Sequence, residues 1–180
     1  MKTRVFAVAL ASLLILGALA IFRFGANAAE PKKPLDLTVT DVTGKKITLS
    51  DYRGNVVVID LWATWCGYCV EEMPEIVAYQ KEAEQEDIPL QFIGLSVDRP
   101  QDKKDVLAVM KEMKVNYPVA IATKTTMKPF GQVRGVPMKF VIDKHGVIVD
   151  KRVGAMSRER LEKWLQPYLD QKVAEKDAKK

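Results

Sequence analysis

The chain of 180 residues holds one histidine, His145, and two cysteines, Cys66 and Cys69. Those scarcities exclude several chemistries. A structural zinc site needs a further Cys or His pair that the sequence does not contain. With one imidazole a dedicated copper site is not expected either, and Met73, Met110 and Met113 fall where helix and core filler is needed. No cysteine precedes Cys66, so lipid attachment at an N-terminal cysteine is not expected. Charge of one sign is also scarce through most of the chain. Of the formal +5, three units come from Lys2, Arg4 and Arg23 in the first 28 residues, and two from the last ten, where Lys172, Lys176, Lys179 and Lys180 outnumber Glu175 and Asp177. The body between them is close to neutral and has no basic stripe interleaved with aromatics, so nucleic acid is not an expected partner. No internal repeat is visible. With 48% hydrophobic and 28% charged residues, composition excludes a disordered chain. It points to one globular domain of roughly 150 residues, long enough to bury a core.

What the sequence does have is one concentrated stretch, Asp60-Leu61-Trp62-Ala63-Thr64-Trp65-Cys66-Gly67-Tyr68-Cys69, followed by Val70-Glu71-Glu72-Met73-Pro74. The run Val56-Val57-Val58-Ile59 before it reads as a central strand buried on both faces. A helical pattern from Cys66 to Glu84, with Pro74 inside it, follows. A dithiol at a strand-to-helix junction has a physical reason to be there. The first unpaired N–H groups of the helix and its positive end stabilise a thiolate and lower the pKa of the leading cysteine. The two-residue spacing lets the second sulfur reach the first within one turn. A loop that short gains little entropy as a purely structural crosslink, so the pair reads as redox-active.

The N-terminus places this chemistry in a compartment. Lys2 and Arg4 precede an uncharged run from Val5 to Phe22, and Ala26-Asn27-Ala28 offers a small-x-small cleavage site, so residues 1–28 read as an export segment. As a helix, the run from Val5 to Phe22 would span about 27 Å, near the hydrocarbon thickness of a bilayer. Both readings therefore stand: an N-terminal membrane anchor, or a signal released by cleavage near Ala28. Either sends the domain to a periplasmic or otherwise extracytoplasmic space where disulfides form.

The rest of the chain is short and legible. Residues 29–34, with Pro31 and Pro34, read as a linker into a domain over 35–169, and 170–180 as a charged, frayed tail. Leu35–Val39 and Lys46–Leu49 alternate around Gly44, which predicts a hairpin with positive φ at the glycine. Gln91–Val97 reads as a second core strand, Gln101–Lys114 as a helix, and Pro118–Ala122 as a short strand. Phe140–Asp143 and Val147–Val149 flank Lys144-His145-Gly146 as a second hairpin, with His145 a turn residue. Ser157 is placed to cap a last helix carrying Leu161, Trp164, Leu165 and Leu169 on one face.

Trp62-Ala63-Thr64-Trp65-Cys66-Gly67-Tyr68-Cys69, Pro74, Gly135-Val136-Pro137, Phe140-Val141-Ile142-Asp143 and the Gly146 hairpin together resemble the thioredoxin superfamily. Within it the chain resembles the exported TlpA/ResA-like thiol-disulfide oxidoreductases, over roughly Leu35 to Leu169. The resemblance implies an α/β, thioredoxin-like fold: a mixed sheet flanked by helices, with an N-terminal β-hairpin extension and a central insertion. It implies Cys66 as the exposed nucleophile, Cys69 as the resolving thiol and Asp60, six residues before Cys66, as a buried carboxyl. Buried under the dithiol, that carboxyl would have a raised pKa and accept the Cys69 proton. Many members of the branch carry a glutamate on the next strand instead, at a place aligned here with Gln91. Pro137 matches a cis-proline facing the dithiol, which aims the Val136 backbone at an extended substrate. Trp65, Gly67 and Tyr68 complete the expected substrate-binding set, with Trp62 in the core and Met138 beside the groove. Gly67-Tyr68 holds no histidine, which favours a reductase of low to intermediate potential.

No cofactor is expected beyond the Cys66–Cys69 disulfide itself, and no metal. The expected partners are disulfide-containing or dithiol client proteins, with apocytochrome c or a metalloenzyme under assembly as the implied class. A membrane-embedded thiol reductant is the implied electron donor. Two alternatives are kept. A peroxiredoxin-like peroxidase would carry threonine and proline three and seven residues ahead of the reactive cysteine, where this chain has Ala63 and Ile59. A non-enzymatic thiol metal chaperone would bind Cu(I) without reducing disulfides. Client, donor, direction of electron flow and oligomeric state are not written in the sequence.

Overall fold

The computed structural model describes residues 33–171. The export segment with its Val5–Phe22 run and cleavage near Ala28, the start of the linker and nearly all of the charged tail lie outside the described residues.

The domain begins with a small hairpin, β1 (Thr38–Thr40) against β2 (Lys46–Thr48), antiparallel with Val39 opposite Ile47. Its alternation buries Leu37, Val39 and Ile47 and leaves Thr38, Thr40 and Lys46 in solvent. Asp41 closes the turn by accepting the N–H groups of Thr43 and Lys45, and Gly44 takes the φ of +97° that side chains disfavour.

Five further strands form the main sheet, in the order β5-β4-β3-β6-β7. β3 (Val56–Trp62) is central and buried along its whole length, as its β-branched run requires. It lies parallel to β4 (Leu90–Ser96), which lies parallel to β5 (Val119–Ile121). On its other side β6 (Met138–Ile142) runs antiparallel, followed by β7 (Ile148–Val153). Between β6 and β7, Asp143 accepts the N–H groups of His145 and Val147 while Gly146 takes a φ of +87°.

Period-two alternation divides β3 between two cores. Val57, Ile59 and Leu61 pack with the hairpin residues Leu37, Val39 and Ile47. Val56, Val58 and Trp62 pack under α1 (Gly67–Gln85) and α4 (Arg158–Asp170). Leu161, Trp164, Leu165 and Leu169 are the buried face of α4, as the spacing predicts. Ser157 stands at its N-cap position without a side-chain cap, its carbonyl accepting the Leu161 N–H.

The connection from β4 to β6 carries α2 (Lys103–Glu112), β5 and the short α3 (Lys124–Met127). Here the helix expected from Gln101 begins two residues later, because Pro100–Asp102 forms a 3-10 turn. Among the described residues no helix is long and apolar enough to cross a membrane.

Candidate active site

The strand-to-helix junction is built by side chains before the cysteines are reached. At the end of β3, Thr64 gives its N–H to Asp98 Oδ2 at 2.9 Å and its hydroxyl to Asp98 Oδ1 at 2.7 Å. Ser96, the last residue of β4, gives its hydroxyl to the same carboxylate at 2.7 Å. One buried acid thus ties the loop leaving β3 to the loop leaving β4. Cys66 then stands at the N-cap of α1, with its sulfur accepting the Cys69 N–H at 3.2 Å. The helix begins at Gly67, one residue beyond the expected start, because Cys66 keeps extended backbone angles.

Cys66 and Cys69 are joined as a disulfide, S–S 2.08 Å. Cys66 is less exposed than its expected role suggests: 8% against 3% for Cys69. The cap position turns its sulfur inward onto the helix end and onto Cys69, and the exposure passes to its neighbours. Trp65 and Tyr68 are 69% and 71% exposed, while Trp62 is fully buried. Gly67 sits between them with open space around it, since a Cβ there would meet nothing within 4 Å. The helix end is therefore bare between two exposed aromatic rings.

Far along the chain, the Val136–Pro137 peptide is cis. Val136 is half-buried and lines a groove of about 480 Å³ with Trp65, Val97, Ala122, Met127 and Val133. Met138, expected beside this groove, turns instead into the core on the hairpin side of the sheet.

Behind the dithiol lies a cluster that sequence reasoning found only in part. Asp60 is 3% exposed and shares a face of β3 with Val58 and Trp62, beneath α1. Directly across the antiparallel ladder is Lys139, fully buried, with Nζ 3.4 Å from Asp60 Oδ1. The same ammonium donates to Glu72 Oε2 at 2.6 Å, and the Met156 N–H donates to Glu72 Oε1 at 3.0 Å. Glu72 follows Cys69 by three residues on α1, which puts it on the same side of the helix. Burial pushes the Asp60 carboxyl above its ordinary pKa, against the pull of Lys139. Glu72 moves the same way for the same reason, with the Asp60 charge adding to the rise. Tyr117 joins them from the segment before β5; burial and the two acids push its phenol well up. Among the described residues Asp60 Oδ1, Trp62 Nε1 and Tyr117 OH are buried without a hydrogen bond.

The structure also shows a second buried acid that the sequence reading did not single out. Gln91 lies opposite Val57 near the start of β3, where its amide donates to Gln80 Oε1 and to the Phe92 carbonyl, away from Asp60. The buried glutamate is Glu72, on the helix rather than on the strand. A signal for it was available: a lysine in the apolar run Met138–Ile142 requires a buried anion. A disulfide with one sulfur at a helix N-cap, carboxyls behind it and a groove beside it has the parts for thiol–disulfide exchange.

Comparison with known proteins agrees with this chemistry. A family model described as AhpC/TSA family matches residues 31–151. Thiol-disulfide oxidoreductase ResA of Bacillus cereus is 32% identical over 135 residues, which cover 75% of this chain and 76% of that protein. Thioredoxin-like protein YneN of Bacillus subtilis is 29% identical over 136 residues, covering 76% and 78%. The crystal structure of a thioredoxin-family thiol:disulfide interchange protein from Chlorobium tepidum TLS superposes with a TM-score of 0.71 at 27% identity, covering 78% of this chain and 98% of that one.

Proposed function

The chain belongs to the AhpC/TSA family and is a thiol-disulfide oxidoreductase, and on that premise we propose that it acts outside the cytoplasm as a reductase of disulfides in protein clients. The observation that carries this reading is the placement of Cys66 at the N-cap of α1, its sulfur in front of the Cys69 N–H. In the reduced protein the same N–H and the positive helix end favour a thiolate on Cys66.

That thiolate attacks one sulfur of a client disulfide. A mixed disulfide forms and the other client sulfur leaves as a thiolate. Cys69 then gives its proton to the buried carboxyl of Asp60 and attacks Cys66 Sγ. The Cys66–client bond breaks, the second client thiolate leaves, and the Cys66–Cys69 disulfide closes. Two electrons have passed to the client, and an external dithiol restores the reduced pair; a membrane-embedded thiol reductant fits that need.

Trp65, Gly67 and Tyr68 form the contact surface around Cys66. The groove beside Val136 and Pro137 receives an extended client segment, whose backbone can pair in strand fashion. The chemistry asks of a client only an accessible disulfide. An apocytochrome c or a metalloenzyme under assembly is the class suggested by the likeness to exported TlpA/ResA-like proteins. The Val5–Phe22 run supports an extracytoplasmic site, either anchored or released near Ala28. A peroxide-reducing role gains no support at Ala63 and Ile59, both buried and without a polar side chain to offer.

Trapping tests the reading. Reduced C69S incubated with a disulfide-bonded peptide should accumulate a mixed disulfide through Cys66, whereas C66S should accumulate little. Equal capture by both variants would remove the assignment of attacking and resolving sulfurs.

A further inference from the structure

Asp60, Glu72 and Lys139 come from three elements, β3, α1 and β6, and their side chains are almost wholly sealed from solvent. The two acids are not held alike. Both oxygens of Glu72 are committed, one to Lys139 Nζ at 2.6 Å and one to the Met156 N–H at 3.0 Å. A proton on Glu72 would set a donor against a donor and break one of these contacts. Asp60 has a 3.4 Å ion-pair contact with Lys139, and its Oδ1 accepts no hydrogen bond. A proton on Asp60 breaks no hydrogen bond at Oδ1 and gives up only this longer ion-pair contact.

We infer that Lys139 is a positioning residue for the redox reaction: by clamping Glu72 in its ionised form, it leaves Asp60 as the carboxylate that receives the Cys69 proton. The inference rests on the reading of Cys69 as the resolving thiol. In that step the Cys69 S–H bond breaks and an O–H bond forms on Asp60. The sulfur electron pair attacks Cys66 Sγ as the bond to the client sulfur breaks. The cluster then holds one carboxylic acid, one carboxylate and one ammonium, so no net charge is left beside the new disulfide.

Without Lys139, Asp60 and Glu72 would be two like charges in a desolvated space. Such a pair retains a shared proton. That proton would fill the acceptor before Cys69 needed it. Among the described residues, the other groups that reach these acids are the Tyr117 phenol and the Met156 N–H, and neither carries a positive charge that could replace the ammonium.

The test uses the reduced full-length protein and 5,5′-dithiobis(2-nitrobenzoate). This reagent releases one coloured thiolate when Cys66 attacks and a second when Cys69 resolves, so the two steps are timed separately by stopped flow across pH. In K139M the second phase at pH 7 should slow at least tenfold relative to the first, and its pH midpoint should rise. In E72Q, where Lys139 serves Asp60 alone, the midpoint should fall below that of the wild type. E72Q/K139Q, which puts an amide pair in place of the ions and guards against a K139M that does not fold, should lie between wild type and K139M. A midpoint in K139M or in the double variant at or below the wild-type value overturns the inference, as does a rise in E72Q. A wild-type protein with no second phase would instead sink the resolving role of Cys69 itself.

Discussion

Asp98 offers the most direct test of how the dithiol loop is held. Its carboxylate is 5% exposed and accepts from the Thr64 N–H, the Thr64 hydroxyl and the Ser96 hydroxyl at 2.9, 2.7 and 2.7 Å. Hydrogen bonds to a charged acceptor contribute about 1.5–3 kcal/mol each. The three share one acceptor and are not additive, and Asp98→Ala also removes the cost of burying the charge. A net loss of about 3–4 kcal/mol follows, a large part of the ~5–15 kcal/mol typical of a domain this size. Thr64→Val removes the hydroxyl contact but keeps the N–H contact, and should cost about 1.5 kcal/mol. Urea unfolding of the oxidised protein measures both, with an unchanged slope expected because the folded core is untouched. Amide exchange at Thr64 should accelerate in Asp98→Ala, since among the described residues that N–H is given to Asp98 Oδ2 alone. A loss below about 1 kcal/mol in Asp98→Ala, or unchanged exchange at Thr64, would refute the claim that this carboxylate holds the loop.

Two further perturbations test the packing behind the site. The Asp60 carboxyl is pushed above its ordinary pKa by burial, so the folded chain binds this proton more tightly than the unfolded chain. Its contribution is therefore present below the unfolded value and lost as pH rises through the folded one. Asp60→Asn does not titrate, and should be more stable than the wild type at pH 7, with the advantage closing toward pH 4. Melting temperatures across that range decide it, and an advantage that grows on acidification would reverse the sign. Gly94→Ala tests the space beside Trp62. Its Cβ would lie 3.0 Å from Val119 Cγ2 and 3.1 Å from Trp62 Nε1, and overpacking of that kind costs about 1–3 kcal/mol. A urea midpoint equal to wild type would mean that the indole moves aside freely.

The parts of this protein that were legible beforehand are those encoded by neighbours along the chain. The all-buried run before Trp62 could only be a central strand, and Leu161, Trp164, Leu165 and Leu169 could only be one face of a helix. Gly44 and Gly146 marked turns that need positive φ. The cysteine pair was readable because its chemistry is local: a two-residue spacing and a helix start suffice. Pro137 was matched through a resemblance, since nothing in its own surroundings points to a dithiol so far back along the chain.

What could not be read came from register and from the approach of distant elements. The β3–β6 ladder places Lys139 opposite Asp60, and α1 lying over the same face brings Glu72 to Lys139 from 67 residues away. Shifting that ladder by one residue would turn Lys139 to the hairpin side of the sheet. Thr64 and Asp98, 34 residues apart, likewise meet only because β3 and β4 end together. The covering of Cys66, the exposure of Trp65 and the groove at Val136 depend on how three loops close at one end of the sheet. By itself, then, the sequence determined the dithiol, the central strand it follows and the helix it caps, because those depend on periodicity and local chemistry. The tertiary structure alone decided which charged groups stand behind the dithiol, because burying a charge requires a partner, and only the sheet register says which one arrives.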